Sequence, residues 1–288
     1  MTIRKLTTVC ALGVASLAQG ACFTDGQAAS LAEHFFSKSA AADIGPMTQA
    51  EAECSRAKLH TVLERRQGPL IGYKVGLTNP AIQRMLKGDQ PVWGKLYQGM
   101  LLENGAVLDA AFGARPTVEA DLMVRVSSAA INQARTPMEV LQAIDQVIPF
   151  VELPDMLVQT PLKLDAQTLT AINVAARLGV VGRPVPVPAS QADKQALLEA
   201  LRDMHLSMTD GAGRVLGQGK GSDLLGHPLH AAIWLAAALA REGQSLKPGQ
   251  FISLGSFPPV MLPQRGLKFT ATYQGLPGAQ PVSVIFRE

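Results

Sequence analysis

Thr117-Val118-Glu119-Ala120-Asp121-Leu122-Met123-Val124-Arg125-Val126 sets two carboxylates two residues apart inside an alternating apolar run. On a β-strand successive side chains point to opposite faces, so residues i and i+2 share one. Glu119, Asp121, Met123 and Arg125 then occupy one side. Val118, Ala120, Leu122, Val124 and Val126 occupy the other, the side expected to be buried. Two acids side by side repel unless a positive charge sits between them, and a divalent cation with hard oxygen ligands is the usual solution. The plainer alternative is a solvated strand face whose acids do nothing, since acids at this spacing are common on exposed strands.

Outward from this strand the pattern is mixed. Leu70-Ile71-Gly72-Tyr73-Lys74-Val75-Gly76 reads as a short strand, and 27–40 and 48–66 have helical spacing, joined by the breaker cluster Asp43-Ile44-Gly45-Pro46. A predicted helix at 137–147 runs into Pro149-Phe150-Val151-Glu152-Leu153, and 193–203 is helical again. Leu206 to Leu216 reads as a hairpin around Asp210-Gly211-Ala212-Gly213. Pro228 precedes an apolar helix, His230 to Arg241, and strands at 250–255, 267–273 and 282–287 close the chain. Helices at the start and middle with many short strands predict an α+β fold and not a parallel βαβ series.

Composition bounds the function. Of 288 residues 47% are hydrophobic and 17% charged, enough for a real core and against disorder. The formal charge of +3 comes without a basic run or stripe, so nucleic acid is excluded as a partner class. Arg4 and Lys5 followed by the apolar run Leu6 to Ala18 and the small residues Gly20 and Ala21 read as a signal peptide, too short to span a membrane. The expected organisation is a signal peptide at 1–21, an N-terminal helical segment at 22–68, and a β-rich catalytic-type domain at 69–288. Export is the expectation, with a cytoplasmic protein the alternative if the first segment is not a signal. Cleavage would leave Cys22 and Cys54, and in an oxidising compartment that even pair suggests one disulfide.

Five blocks carry a resemblance. Gly72-Tyr73-Lys74-Val75-Gly76-Leu77-Thr78 comes first, then Asp89-Gln90-Pro91-Val92-Trp93-Gly94, then Pro116 to Leu122. Val147-Ile148-Pro149-Phe150-Val151-Glu152 and the Gly-rich Gly219 to Leu229 complete the series. In this order the blocks resemble the 2-keto-4-pentenoate hydratase family, which includes 2-oxohepta-3-ene-1,7-dioate hydratases and 4-oxalocrotonate decarboxylases, within the fumarylacetoacetate hydrolase-like superfamily. The resemblance implies a rolled, mixed β-sheet, a homo-oligomer, and a divalent metal, Mg²⁺ or Mn²⁺, held by three carboxylates. Those carboxylates fall on Glu119, Asp121 and Glu152, and the catalytic lysine falls on Lys74. It further implies a metal-dependent lyase acting on a small unsaturated 2-oxo acid such as 2-hydroxypenta-2,4-dienoate. His227 and Ser222 would stand near the substrate, as would Asn173, which the family's Asp-Asn-Ala-Ser segment retains. An acylpyruvate C–C hydrolase and a non-catalytic organic-acid-binding protein are the alternatives.

The chain departs from the family's pattern at several positions. Asp121 is one methylene shorter than the usual glutamate, Ile172 and Ala175 replace a carboxylate and a hydroxyl, and Thr168 stands where an aspartate is usual. Pro154-Asp155-Met156-Leu157 replaces a Trp- or Arg-bearing stretch. Other readings stay open at single residues. Lys74 could be a snorkelling surface lysine, and His227 could cap the helix that follows Pro228. The segment from Gly217 to Ser222 lacks the glycine spacing of a phosphate loop. Ser253 lacks the first glycine of a nucleophile elbow, because Phe251 stands there.

Overall fold

The computed structural model describes residues 21–288. The predicted signal segment, but for Ala21, lies outside the described residues. The chain opens with α1 (Asp25–Ser37), α2 (Gln49–Gln67), β1 (Leu70–Gly76), α3 (Pro80–Met85) and β2 (Val92–Tyr97). It continues through β3 (Leu101–Glu103), β4 (Ala106–Leu108), β5 (Val118–Val126), α4 (Pro137–Gln142), β6 (Ile144–Leu153) and α5 (Ala166–Ala171). Then come β7 (Leu178–Val181), β8 (Val185–Pro186), α6 (Gln191–Asp203), β9 (His205–Thr209) and β10 (Val215–Lys220). It closes with α7 (His230–Arg241), β11 (Phe251–Ser253), β12 (Phe257–Met261), β13 (Lys268–Gln274) and β14 (Val282–Phe286).

Local chemistry sets the helix starts. Thr24 with Gln27 and Thr48 with Glu51 form capping boxes that satisfy the first free amides of α1 and α2, each cap being worth about 1 kcal/mol. Cys22 is joined to Cys54 by a disulfide, and the Phe23 amide donates to Ser55 Oγ at 2.9 Å, so the entry to α1 is tied to α2.

The predicted α+β class is what is found, with the large sheet rolled into a half-barrel. That nine-stranded mixed sheet has the order β2-β1-β11-β5-β6-β7-β3, with β12 beside β5 and β8 beside β6. A five-stranded sheet, β10-β9-β13-β14-β4, packs behind it. One face of the large sheet, carrying Tyr73, Val75, Leu122 and Val147, joins the core with α6, α7 and the second sheet. The other face, carrying Met123, Ile148 and Phe150, lies under α1, α2 and α5. β5 is therefore covered on both sides, and its acid face is buried as well as its apolar one. The solvated-face alternative for Glu119 and Asp121 fails for that reason.

The helix expected at 137–147 is cut short. α4 ends at Gln142 and β6 starts at Ile144, because 144–153 pairs along β5 from Val126↔Ile144 to Glu119↔Glu152. A ladder of eight pairs in the middle of the sheet overrides the helical spacing. Among the described residues no helix is long and apolar enough to cross a membrane.

Candidate active site

β1, β11, β5 and β6 lie side by side, and their register sets Lys74 opposite Ser253, Ser253 opposite Met123, and Met123 opposite Ile148. Glu119 faces Glu152 directly, one pair beyond Asp121↔Phe150. Opposed residues share a face, so Lys74, Ser253, Asp121, Glu119 and Glu152 all point into the concavity beneath the N-terminal helices. In a flat sheet, three strand spacings would hold β1 and β6 about 14 Å apart. The roll brings Lys74 Nζ to 2.9 Å from Glu152 Oε1.

The cluster is closed to solvent. Lys74 is 5% exposed, Glu119 6%, Glu152 1% and Asp121 0%, which excludes the surface-lysine reading of Lys74. Thr117 Oγ1 donates to Glu119 Oε1 at 3.2 Å, and Ser256 Oγ donates to Glu152 Oε2 at 3.2 Å. The contact between Lys74 and Glu152 Oε1 is ionic but misaligned for a hydrogen bond. That oxygen is the one buried side-chain polar atom without a hydrogen-bond partner among the described residues.

Asp121 is held differently. Its Oδ2 accepts from Ser253 Oγ at 2.5 Å, and its Oδ1 accepts from the amides of Leu122 at 2.5 Å and Gly255 at 3.0 Å. Gly255 has φ +111°, and a Cβ there would collide with Thr78. Only glycine lets this backbone approach the carboxylate so closely. On the far side of the sheet Tyr273 donates to the Asp121 carbonyl at 2.5 Å and accepts from the Phe150 amide at 3.2 Å, fixing β5 against β6 under the acids. The short side chain of Asp121 is thus turned toward β11 and held by three donors.

Burial dominates the electrostatics. It raises the Glu152 carboxyl to about 7 against the lowering pull of Lys74, with Glu119 adding to the rise. Burial, and then the neighbouring Glu152, push Asp121 well above the carboxylate range. For Glu152 and Asp121 the buried, negatively charged surroundings thus favour the protonated form. Among the described residues no three His, Cys, Asp or Glu side chains are grouped closely enough to hold a metal ion as they stand.

Three of the expected site residues are placed elsewhere. His227 accepts from the Leu229 amide at 3.1 Å through Nδ1 and donates from Nε2 to the Leu198 carbonyl at 3.1 Å. With both ring nitrogens engaged, it joins α6 to the segment that leads into α7. Burial lowers it to about 4. Asn173 Oδ1 takes the Lys95 amide at 2.7 Å and lies 2.7 Å from His60 Nε2, while Nδ2 donates to the Lys95 carbonyl at 3.1 Å. Its amide brackets β2. Ser222 is exposed on the turn after β10, and no hydrogen bond among the described residues joins its side chain to the closed cluster.

Sequence reasoning missed Ser253, Thr117 and Ser256 as partners of the acids. Ser253 could have been found as the residue two before Gly255 at the end of a predicted strand. It also missed the turn at Asn173, Val174 and Ala175, where three consecutive non-glycine residues have φ of 60°, 52° and 55°. That left-handed turn costs backbone strain. It sets Val174 against Gly76, where a Cβ would lie 2.6 Å from Val174 Cγ1. Gly76 follows Lys74 by two residues on the same face, so the wall beside the lysine is apolar.

No protein-family model matches the chain. It is 30% identical to the 2-hydroxyhexa-2,4-dienoate hydratase of Comamonas testosteroni over 209 residues, 72% of this chain and 75% of that protein. It is 29% identical to 2-keto-4-pentenoate hydratase 1 of Dechloromonas aromatica over 207 residues, again 72% and 75%. The structure of 4-oxalocrotonate decarboxylase from Pseudomonas putida G7, complexed with magnesium and adipate, superposes with a TM-score of 0.77 at 27% identity, covering 92% of this chain and 99% of that one. By these likenesses the chain belongs to the 2-keto-4-pentenoate hydratase family, as an enzyme of the hydratase and decarboxylase type on a fumarylacetoacetate hydrolase-like fold.

Proposed function

We propose that the chain is a metal-dependent lyase that hydrates a small unsaturated 2-oxo acid such as 2-hydroxypenta-2,4-dienoate. The observation that carries this reading is the closed cluster of Lys74 with Glu119, Asp121 and Glu152 inside the rolled sheet. The donor set fits a divalent cation: hard carboxylate oxygens, a formal excess of buried negative charge, and a buried Glu152 oxygen with no hydrogen-bond partner. Glu119 and Glu152, directly opposed, are the principal donors, with Asp121 behind them. Mg²⁺ and Mn²⁺ are the ions of choice for such oxygens. When bound, the cation supplies Lewis acidity to the carboxylate and keto oxygens of a 2-oxo acid.

The protein's own groups do the rest. Lys74, in contact with Glu152, holds the proton that moves along the substrate's conjugated carbons, and Glu152 is the group that can receive it or return it. The bonds from Ser253, Leu122 and Gly255 keep Asp121 from swinging into the substrate space. The covering helices exclude bulk water, so proton transfer is confined to these groups, while the one water consumed adds its hydroxyl at the distal double bond and its proton at the neighbouring carbon. Ile172, Val174 and Ala175 are buried and apolar. A substrate with a hydrocarbon distal end suits that wall better than one with a second carboxylate.

Turnover of 2-hydroxypenta-2,4-dienoate, followed by loss of its ultraviolet absorbance with Mn²⁺ present, tests the reading. Glu119→Gln should abolish both metal binding and turnover; if it leaves both intact, the reading is wrong. Product analysis separates the chemistries: hydration keeps the carbon skeleton, decarboxylation releases CO₂, and hydrolysis of an acylpyruvate gives two fragments. Export is part of the proposal, supported by the Cys22–Cys54 disulfide. An intact-mass measurement on the natural host's protein should show a chain that begins near Cys22.

A further inference from the structure

A cavity of about 260 Å³ opens between the end of α1, the edge of the sheets and the C-terminus, and it shares no lining residue with the carboxylate cluster. Phe35, Phe112 and Leu178 form its apolar walls, and Lys38, Arg177 and Arg287 supply its charge. Asp109 is the one carboxylate on the lining, so three cations face one acid.

Arg177 is only 7% exposed. Its Nε donates to the Phe112 carbonyl at 2.7 Å, and Nη1 donates to the Phe35 carbonyl at 2.7 Å and to Asp155 Oδ2 at 3.1 Å. Nη2 has no hydrogen-bond partner among the described residues. It is not sealed in either, because the single enclosed and unpartnered side-chain polar atom is on Glu152. A nearly buried guanidinium that lines the cavity thus keeps one accessible, unpartnered edge. Guanidinium presents planar donors matched to a carboxylate, and an apolar wall beside it rewards a hydrocarbon body.

We propose that this cavity binds a small monocarboxylate with an apolar body, its carboxylate on Arg177 Nη2 between Lys38 and Arg287. Asp155, the partner of Arg177, accepts from the amides of Ala114 at 3.0 Å, Arg115 at 2.7 Å and Leu157 at 3.1 Å. It thereby gathers the lead-in to β5 and the segment just beyond Glu152.

The test is calorimetric titration of benzoate, phenylacetate and hexanoate into the full, chelator-stripped chain, with 2-phenylethanol as the neutral counterpart of phenylacetate. At least one acid should bind at one site per chain, at least tenfold more tightly than the alcohol. The paired reversal Lys38→Glu and Arg287→Glu should weaken it at least tenfold, while Glu119→Gln leaves it unchanged. Arg177 variants risk the fold, so Leu178→Trp, which fills the cavity from its wall, serves as the second variant and should abolish binding in a folded chain. Absence of binding up to about 10 mM, equal affinity for acid and alcohol, or loss of binding in Glu119→Gln would each overturn the proposal. The last outcome would place the acid at the carboxylate cluster and leave the lyase reading standing.

Discussion

Replacing Lys74 with Met removes the ammonium from among three buried carboxylates at nearly constant volume. At 2.9 Å the Lys74–Glu152 pair attracts by roughly 6 kcal/mol at an effective dielectric of about 20. After desolvation, deleting one partner of such a buried pair costs about 3–5 kcal/mol. Glu152, already at about 7, can limit the damage by keeping a proton, so a loss near 3 kcal/mol is expected for the metal-free variant at neutral pH. Mn²⁺ at a hundred times its Kd should return about 2.7 kcal/mol, because a cation again faces the acids. Turnover should fall by about 10²–10⁴, the worth of one general acid–base group, even in the metal-loaded protein. Lys74→Arg keeps the charge but cannot release its proton and should lose turnover with a smaller loss of stability. Urea unfolding followed by the fluorescence of Trp93 and Trp234 reads the stability, Mn²⁺ calorimetry the metal, and dienoate absorbance the rate. Turnover within tenfold of the parent, or a folded variant that no longer binds Mn²⁺, would refute the separation of proton and metal roles argued from this geometry.

Asp121→Asn can keep the bonds from Leu122 and Gly255 and reverse the one to Ser253, so it should cost at least tenfold less Mn²⁺ affinity than Glu119→Gln; equal losses by calorimetry would make Asp121 a ligand of the same rank. His227 at about 4 in the folded chain against 6.5 unfolded means that only the unfolded state gains its proton in between. Its contribution is therefore complete above pH 6.5 and lost as the pH falls to about 4, a change of about 3 kcal/mol. Urea titrations at both ends should show that slope in the parent and a weaker one in His227→Asn. Replacing Cys54 by Ser opens a loop whose ends are 32 residues apart and should cost about 3–4 kcal/mol, read as a lower unfolding midpoint; an unchanged midpoint would mean that the N-terminal tie carries no stability.

Much of the frame is legible one residue at a time. Thr24 with Gln27 and Thr48 with Glu51 announce α1 and α2 at the level of caps, and the alternation from Val118 to Val126 announces β5. Local periodicity misled where a long-range partner competed. Val140 and Leu141 have helical spacing with Ile144, yet 144–153 becomes a strand because β5 is there to pair with it. His227 was readable as a cap or as a substrate contact, and its Nε2 partner, the Leu198 carbonyl on another helix, is one that no local segment reveals.

What the amino-acid order determined by itself is which side chains share a face: Glu119 and Asp121 on β5, and Lys74 with Gly76 on β1, because a strand alternates with a period of two whatever surrounds it. Only the tertiary structure decided that the acid face is buried, since the helices that cover it are distant in sequence. Only the roll of the sheet brought Lys74 to Glu152 across two intervening strands, and only β11, arriving more than a hundred residues after β5, turned Asp121 toward Ser253 and Gly255. Side-chain direction along a strand follows from local stereochemistry, whereas curvature and cover are sums over contacts that no short segment contains.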